Sequence, residues 1–305
     1  MRLATTTQLP RPHKTQVPTH TFNRSAHSPA LFQDTPTRSV DVGGTAFVCR
    51  ELGPRTGVPV ILLNHLGAQL DNFDPRIVDG LAATRWVIAF DNRGIGASGG
   101  KTPSSVAEMA RDAIAFIRAL GFEEVDLFGF SLGGFVAQEI VLTEPTLVRK
   151  LILAGTGPAG GEGIDKVTPL TVIDMIKGAL TLRDPKYYLF FTRTVNGRRA
   201  AKAFLQRLTE RQADRDKPVS LSAFGAQLKA IKAYGLQAPQ DLSVIRIPAL
   251  VANGDHDRMV PSGNTHDLAR RIPGAQLVIY PDAGHGGVFQ NHADFVSKAL
   301  AFLEA

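Results

Sequence analysis

The chain has 305 residues, 44 % of them hydrophobic, a formal net charge of +6 and one cysteine. This length and apolar content suit one large α/β domain with an insertion and a sizeable core. No apolar run approaches the ~18 to 20 residues of a membrane-crossing helix, and the lone Cys49 excludes an intramolecular disulfide or a thiol-based metal cluster.

Residues 1–38 carry five Lys and Arg against one acid and are rich in Thr, Pro, Ser and His without periodicity. They read as a disordered basic tail, with no apolar core of the secretory kind. The expected location is the cytoplasm. Val40 and Val42, then Ala46 to Cys49, read as two strands joined at Gly43-Gly44, with Cys49 a plain buried thiol. Pro59 to Leu63 is a continuous apolar run, the pattern of a strand buried on both faces. Pro75 to Ala83 reads as a short helix and Trp86 to Phe90 as the next buried strand. Thr102 and Pro103 suit the cap and first position of a helix, whose apolar face is Val106, Met109, Ala113, Phe116 and Ile117.

Val125 to Phe128 is again a buried strand, and residues 132–144 carry apolar residues at helical spacing. Between them stands Gly129-Phe130-Ser131-Leu132-Gly133-Gly134. A G-x-S-x-G run at a sharp strand-to-helix turn pushes a serine hydroxyl outward from a strained backbone, with small residues where strand and helix pass closely. Val148 to Ala154 is one more buried strand. Residues 157–240 are mostly helical in pattern, with candidate helices at 169–182, 185–193, 198–215 and 220–234. They hold fourteen Lys and Arg against seven acids. These charges are interleaved along helices, so a solvated face is expected and not a nucleic-acid surface. Strand and helix patterns resume at Ala249 to Asn253, residues 263–271, Gln276 to Tyr280 and residues 291–304. Such alternation means a mostly parallel, doubly wound sheet with helices on both faces.

From about Val40 to Leu303 the chain resembles the α/β-hydrolase superfamily, in particular its serine-nucleophile haloperoxidase and esterase branch. The resemblance rests on the serine turn and on Asp91-Asn92-Arg93-Gly94-Ile95-Gly96-Ala97-Ser98, which is similar to the family's D-x-R-G-x-G-x-S turn. It also rests on two downstream stretches. Gly254-Asp255-His256-Asp257-Arg258-Met259-Val260-Pro261 is similar to the family's G-x-x-D-x-x-V-P pattern and implies Asp257 as the acid, with Asp255 as fallback. Ala283-Gly284-His285-Gly286 implies His285 as the base. The implied organisation is a core of residues 39–156 and 241–305, roofed by a helical lid at 157–240. The resemblance also implies an oxyanion hole made by the backbone N–H groups of Leu132 and Leu66. His65 stands where the family has glycine, which leaves it near the pocket without a role. Asn64 and His65 are expected to brace their loop, Asp91 and Arg93 to form a structural ion pair or hydrogen bonds, and Tyr187 and Tyr188 to pack within the lid or line a substrate pocket.

A serine hydroxyl needs a base within hydrogen-bond reach and a third group to orient that base. The expected activity is therefore hydrolysis of an ester, lactone or related carbonyl substrate through an acyl-enzyme on Ser131, Asp257 and His285. The implied partner is a small acyl substrate, with no cofactor and no metal. Two alternatives keep the same residues: a cofactor-free haloperoxidase-like perhydrolase, and a ligand-binding receptor with little turnover.

Overall fold

The computed structural model describes residues 31–305. Eight strands form one sheet. β1 (Arg38–Val42) and β2 (Thr45–Leu52) make an antiparallel hairpin, turned at Gly43 and Gly44, both with positive φ, where a side chain would cost energy. β2 lies antiparallel to β4 (Val87–Phe90). From β4 the sheet is parallel through β3 (Val60–Leu63), β5 (Val125–Phe130), β6 (Val148–Ala154), β7 (Ala249–Gly254) and β8 (Gln276–Tyr280). Every residue of β3, β4, β5 and β7 is buried, so both sheet faces are covered, as the continuous apolar runs require. Cys49 lies in this core, and burial pushes its thiol up to about 11.

The covering helices are α1 (Pro75–Ala82), α2 (Val106–Ala119), α3 (Leu132–Thr143), α8 (Gly263–Arg271), the single turn α9 (Gly287–Gln290) and α10 (His292–Glu304). Between β6 and β7 come α4 (Val167–Thr181), α5 (Lys186–Leu189), α6 (Val195–Arg207) and α7 (Leu221–Gly235). Among the described residues no helix is long and apolar enough to cross a membrane.

Four expectations need correction. The expected tail cannot run to residue 38. Phe32–Asp34 form a 3-10 turn, Phe32 is buried against Phe73, and Arg211 donates to the carbonyls of Gln33 and Thr35. The Phe32 N–H also donates to Asp79, and the Arg50 guanidinium donates to Thr37 and lies over the Phe32 ring, and none of these contacts leaves a periodic signal. Residues 1–30 of the expected tail lie outside the described residues. Helix α2 begins after Ser105, whose hydroxyl accepts the Glu108 N–H. Thr102 is instead buried against the Gly94 turn, where a Cβ on Gly94 would strike it. Asp91 and Arg93 do not pair. Arg93 makes a bidentate pair with Asp112 of α2, while Asp91 faces Asp216 from the insertion, and burial, followed by that second carboxyl, holds its pKa well above the usual range. Helix α6 ends at Arg207, not at 215. The following strap is irregular, its Arg211 side chain also spending a donor on the Asp214 carbonyl.

The N-terminal edge of the parallel strands is fastened by charge. Asp126 of β5 is fully buried and paired with Arg85 at 2.9 Å and Arg149 at 2.5 Å. Both arginines, with Lys150, also reach the last carbonyls of α10, groups a helix leaves unpaired. Removing the shared carboxylate strands two cations that are only partly wetted. Asp126→Ala is expected to lower the unfolding free energy by about 3 kcal/mol, seen as a lower urea midpoint at unchanged m-value.

Candidate active site

Ser131 sits between β5 and α3 with φ 56° and ψ −118°, a conformation that costs a non-glycine residue roughly 1 to 3 kcal/mol. The surroundings impose it. The Ser131 N–H donates to the Ala154 carbonyl, and its own carbonyl accepts from Gly134 N–H and the Thr156 hydroxyl. A Cβ on Gly129 would stand 2.5 Å from the Gly133 carbonyl oxygen, and one on Gly133 would penetrate the Leu63 carbonyl. The two glycines thus let α3 descend onto β5 and β3.

His285 arrives on the loop after β8. Its Nε2 lies 2.9 Å from Ser131 Oγ and its Nδ1 2.7 Å from Asp257 Oδ2. Asp257 follows β7. Its Oδ1 accepts the N–H groups of Met259 and Val260, and its Oδ2 also accepts from the Asn253 side-chain amide. The carboxylate is therefore fixed from four sides, and only one of its contacts is the imidazole. The fallback Asp255 is turned elsewhere, to His256 at 2.5 Å and to the Ala283 N–H. Asn253 escaped notice because an asparagine at a strand end reads as turn chemistry. All three members of the hydrogen-bonded chain are buried.

The loop after β3 supplies the opposite wall. Asn64 braces it, accepting the His65 N–H and donating to the Gln69 carbonyl. Gly67, at φ 67°, donates to Gln227 of α7. Among the described residues the N–H groups of Leu66 and Leu132 have no hydrogen-bond partner. Beside Leu66 opens a cavity of about 170 Å³ that Ser131 shares with His65, Leu66, Met175, Leu189 and Phe224. Tyr187 and Tyr188 stay out of it. Tyr188 bonds Thr181 and lies under Lys177, and Tyr187 lies under Arg183. The same run turns Leu189 and Phe190 inward instead. Thr171, Met175 and Phe224 come from insertion helices, where periodicity marks an apolar face without saying what it covers.

The sequence profile of the α/β hydrolase fold matches residues 58–292. The chain belongs to that family. A solved structure of an α/β hydrolase fold protein from Chitinophaga pinensis is 38 % identical, with a TM-score of 0.85 over 90 % of this chain and 100 % of that one. A poly(3-hydroxyalkanoate) depolymerase of Ectopseudomonas oleovorans is 29 % identical over 74 % of this chain and 77 % of its own. A non-heme chloroperoxidase of Streptomyces lividans is 26 % identical over 86 % and 97 %.

This α/β hydrolase differs from the pattern expected for the family at His65. The imidazole is 3 % exposed, edge-on to Phe130 and Phe190 at 5.7 and 5.0 Å. Its Nδ1 lies 2.8 Å from the Leu66 carbonyl. A carbonyl only accepts, so Nδ1 carries the proton. Burial, then the Lys186 cation, pushes the pKa down to about 3, and His65 is neutral.

Two measurements follow from these positions. Gly133→Ala should cost about 3 kcal/mol in a urea unfolding curve, since neither the Leu63 carbonyl nor α3 can retreat without breaking the sheet. An unchanged midpoint would mean the two backbones are not in contact. For His65 the folded pKa is depressed, so between about pH 3 and 6.5 the unfolded chain binds a proton that the folded chain refuses. Stability therefore rises with pH across that window, by about 1.4 kcal/mol per unit, and His65 adds nothing further above it. His65→Phe should shrink the loss of unfolding free energy between pH 6 and 4.5 by about 2 kcal/mol. Equal losses in variant and wild type would refute the neutral histidine.

Proposed function

We propose that the chain is a serine hydrolase that cleaves a carboxylic ester, lactone or related carbonyl substrate through an acyl-enzyme. The carrying observation is the Ser131–His285–Asp257 hydrogen-bonded chain, 2.9 and 2.7 Å in its two links, opening onto a largely apolar cavity. His285 takes the Ser131 proton as Oγ attacks the carbonyl carbon. Asp257, held by two backbone N–H groups and Asn253, keeps the proton-bearing Nδ1 edge in place and steadies the imidazolium. The N–H groups of Leu132 and Leu66 receive the oxyanion, Leu132 with the help of the α3 dipole. His285 then protonates the leaving group, and water reverses the sequence. The insertion acts as the lid, supplying the cavity roof.

The chloroperoxidase relative favours a second reading, in which hydrogen peroxide replaces water at the acyl-enzyme and releases a peracid. The chemistry up to that intermediate is the same, so the distinction lies in which small nucleophile reaches it.

Purified protein should take a fluorophosphonate label on Ser131 and hydrolyse short-chain aryl esters. Ser131→Ala and His285→Ala should each abolish labelling and lower kcat by about 10⁴-fold or more. Esterase activity that survives Ser131→Ala would remove Ser131 as nucleophile. With peroxide added, the peracid formed per ester consumed measures the second reading directly.

A further inference from the structure

Two buried polar atoms, in residues that line the cavity, are left over by the chemistry above. His65 Nε2 is buried and has no hydrogen-bond partner among the described residues. Because Nδ1 holds the ring's proton on the Leu66 carbonyl, Nε2 offers a bare lone pair: it can accept a hydrogen bond and cannot give one. Thr171 Oγ1, on α4, is equally unpartnered, in a residue 1 % exposed. Both residues line the cavity that contains Ser131. The other polar side chains on this wall, Asp184 and Lys186, pair with each other at 3.1 Å, and the rest is apolar apart from Ser131. His65 directly precedes Leu66, whose N–H would hold the substrate's carbonyl oxygen, and both residues line the cavity with Ser131.

An acceptor buried without a protein donor is costly in the free protein, and a ligand that brings the donor gains that interaction on binding. A plain fatty acyl chain brings none. We propose that His65 and Thr171 form a polar subsite for substrates carrying an O–H or N–H donor on the acyl side of the scissile carbonyl, on an otherwise apolar body. This rests on the acyl-enzyme reading and adds the substrate class to it. His65 is then a specificity residue, accepting from the donor, and Thr171 is a second contact from the roof. A site that hydrogen-bonds its substrate in this way rejects the isostere lacking the donor, because its own polar atom is then left unpaired.

The test uses two isosteric pairs of nitrophenyl esters: 3-hydroxybutyrate against 3-methylbutyrate for an O–H donor, and N-methylcarbamate against propionate for an N–H donor. Values of kcat/KM are compared between wild type, His65→Phe and Thr171→Val, so that intrinsic reactivity cancels. In at least one pair, His65→Phe should lower the donor-bearing ester about tenfold more than its isostere, and Thr171→Val should act in the same direction. The pair that responds tells hydroxyl from N–H. Losses equal within about twofold in both pairs overturn the subsite while wild type still takes a fluorophosphonate label. A wild type that takes no label and hydrolyses none of the four esters overturns the acyl-enzyme reading, and the subsite with it. Thr171→Val removes a single oxygen at nearly constant shape, and keeps the comparison valid if His65→Phe does not fold.

Discussion

Gly133 lies so close to the carbonyl of Leu63 that no side chain fits between them. This contact brings three elements to one point: the end of β3, the end of β5 and the first turn of α3. Ser131 is forced into positive φ there. The loop leaving β3 starts beside the serine turn, which sets Leu66 and Ser131 on the wall of one cavity. Parallel strands deliver the remaining parts to the same edge, Asp257 after β7 and His285 after β8. Ligand sites of open α/β sheets lie outside the carboxyl ends of the strands for this topological reason.

Besides aromatic packing, such as Tyr234 on Phe135 and Phe204 on Phe289, the insertion is bound to the core by widely spread polar contacts. Gln227 holds Gly67, Arg207 holds Asp74 at 2.6 Å, and Asp282 after β8 accepts from Thr192, Thr194 and Asn196. The strap after α6 adds a buried set, with Asp71 accepting the Asp216 N–H and Arg50 beside Asp71 at 2.8 Å. Buried charges of this kind contribute little net stability when paired and cost several kcal/mol when one partner is lost. They fix the position of the insertion more than they strengthen it.

Much of this was legible beforehand. The buried parallel strands announce themselves as unbroken apolar runs, and Ser131 is marked by the strand and helix on either side of it. Asp257 and His285 stand in stretches that resemble the family's motifs, and the structure brings both into one hydrogen-bonded chain with Ser131. What escaped was whatever depends on contacts distant in sequence. Phe32 has no pattern that shows it packing on Phe73. Thr102 looks like a cap until Gly94 is seen against it. Arg93 finds Asp112 and not its near neighbour Asp91. In the run Tyr187 to Phe191, composition gives a greasy segment, but the turn of α5 decides that Leu189 and Phe190 face the serine while Tyr187 and Tyr188 do not. His65 showed only as a departure, since burial and proton placement are properties of its surroundings.

Phe190 belongs to the insertion, yet its carbonyl accepts the Gly286 N–H at 2.7 Å and its ring touches His285, His65, Phe130 and Phe289. It is a pivot, not an edge. The insertion is joined at this residue to the loop that carries His285, by one backbone hydrogen bond and one shared ring contact, so a change in the packing of Phe190 reaches the imidazole directly.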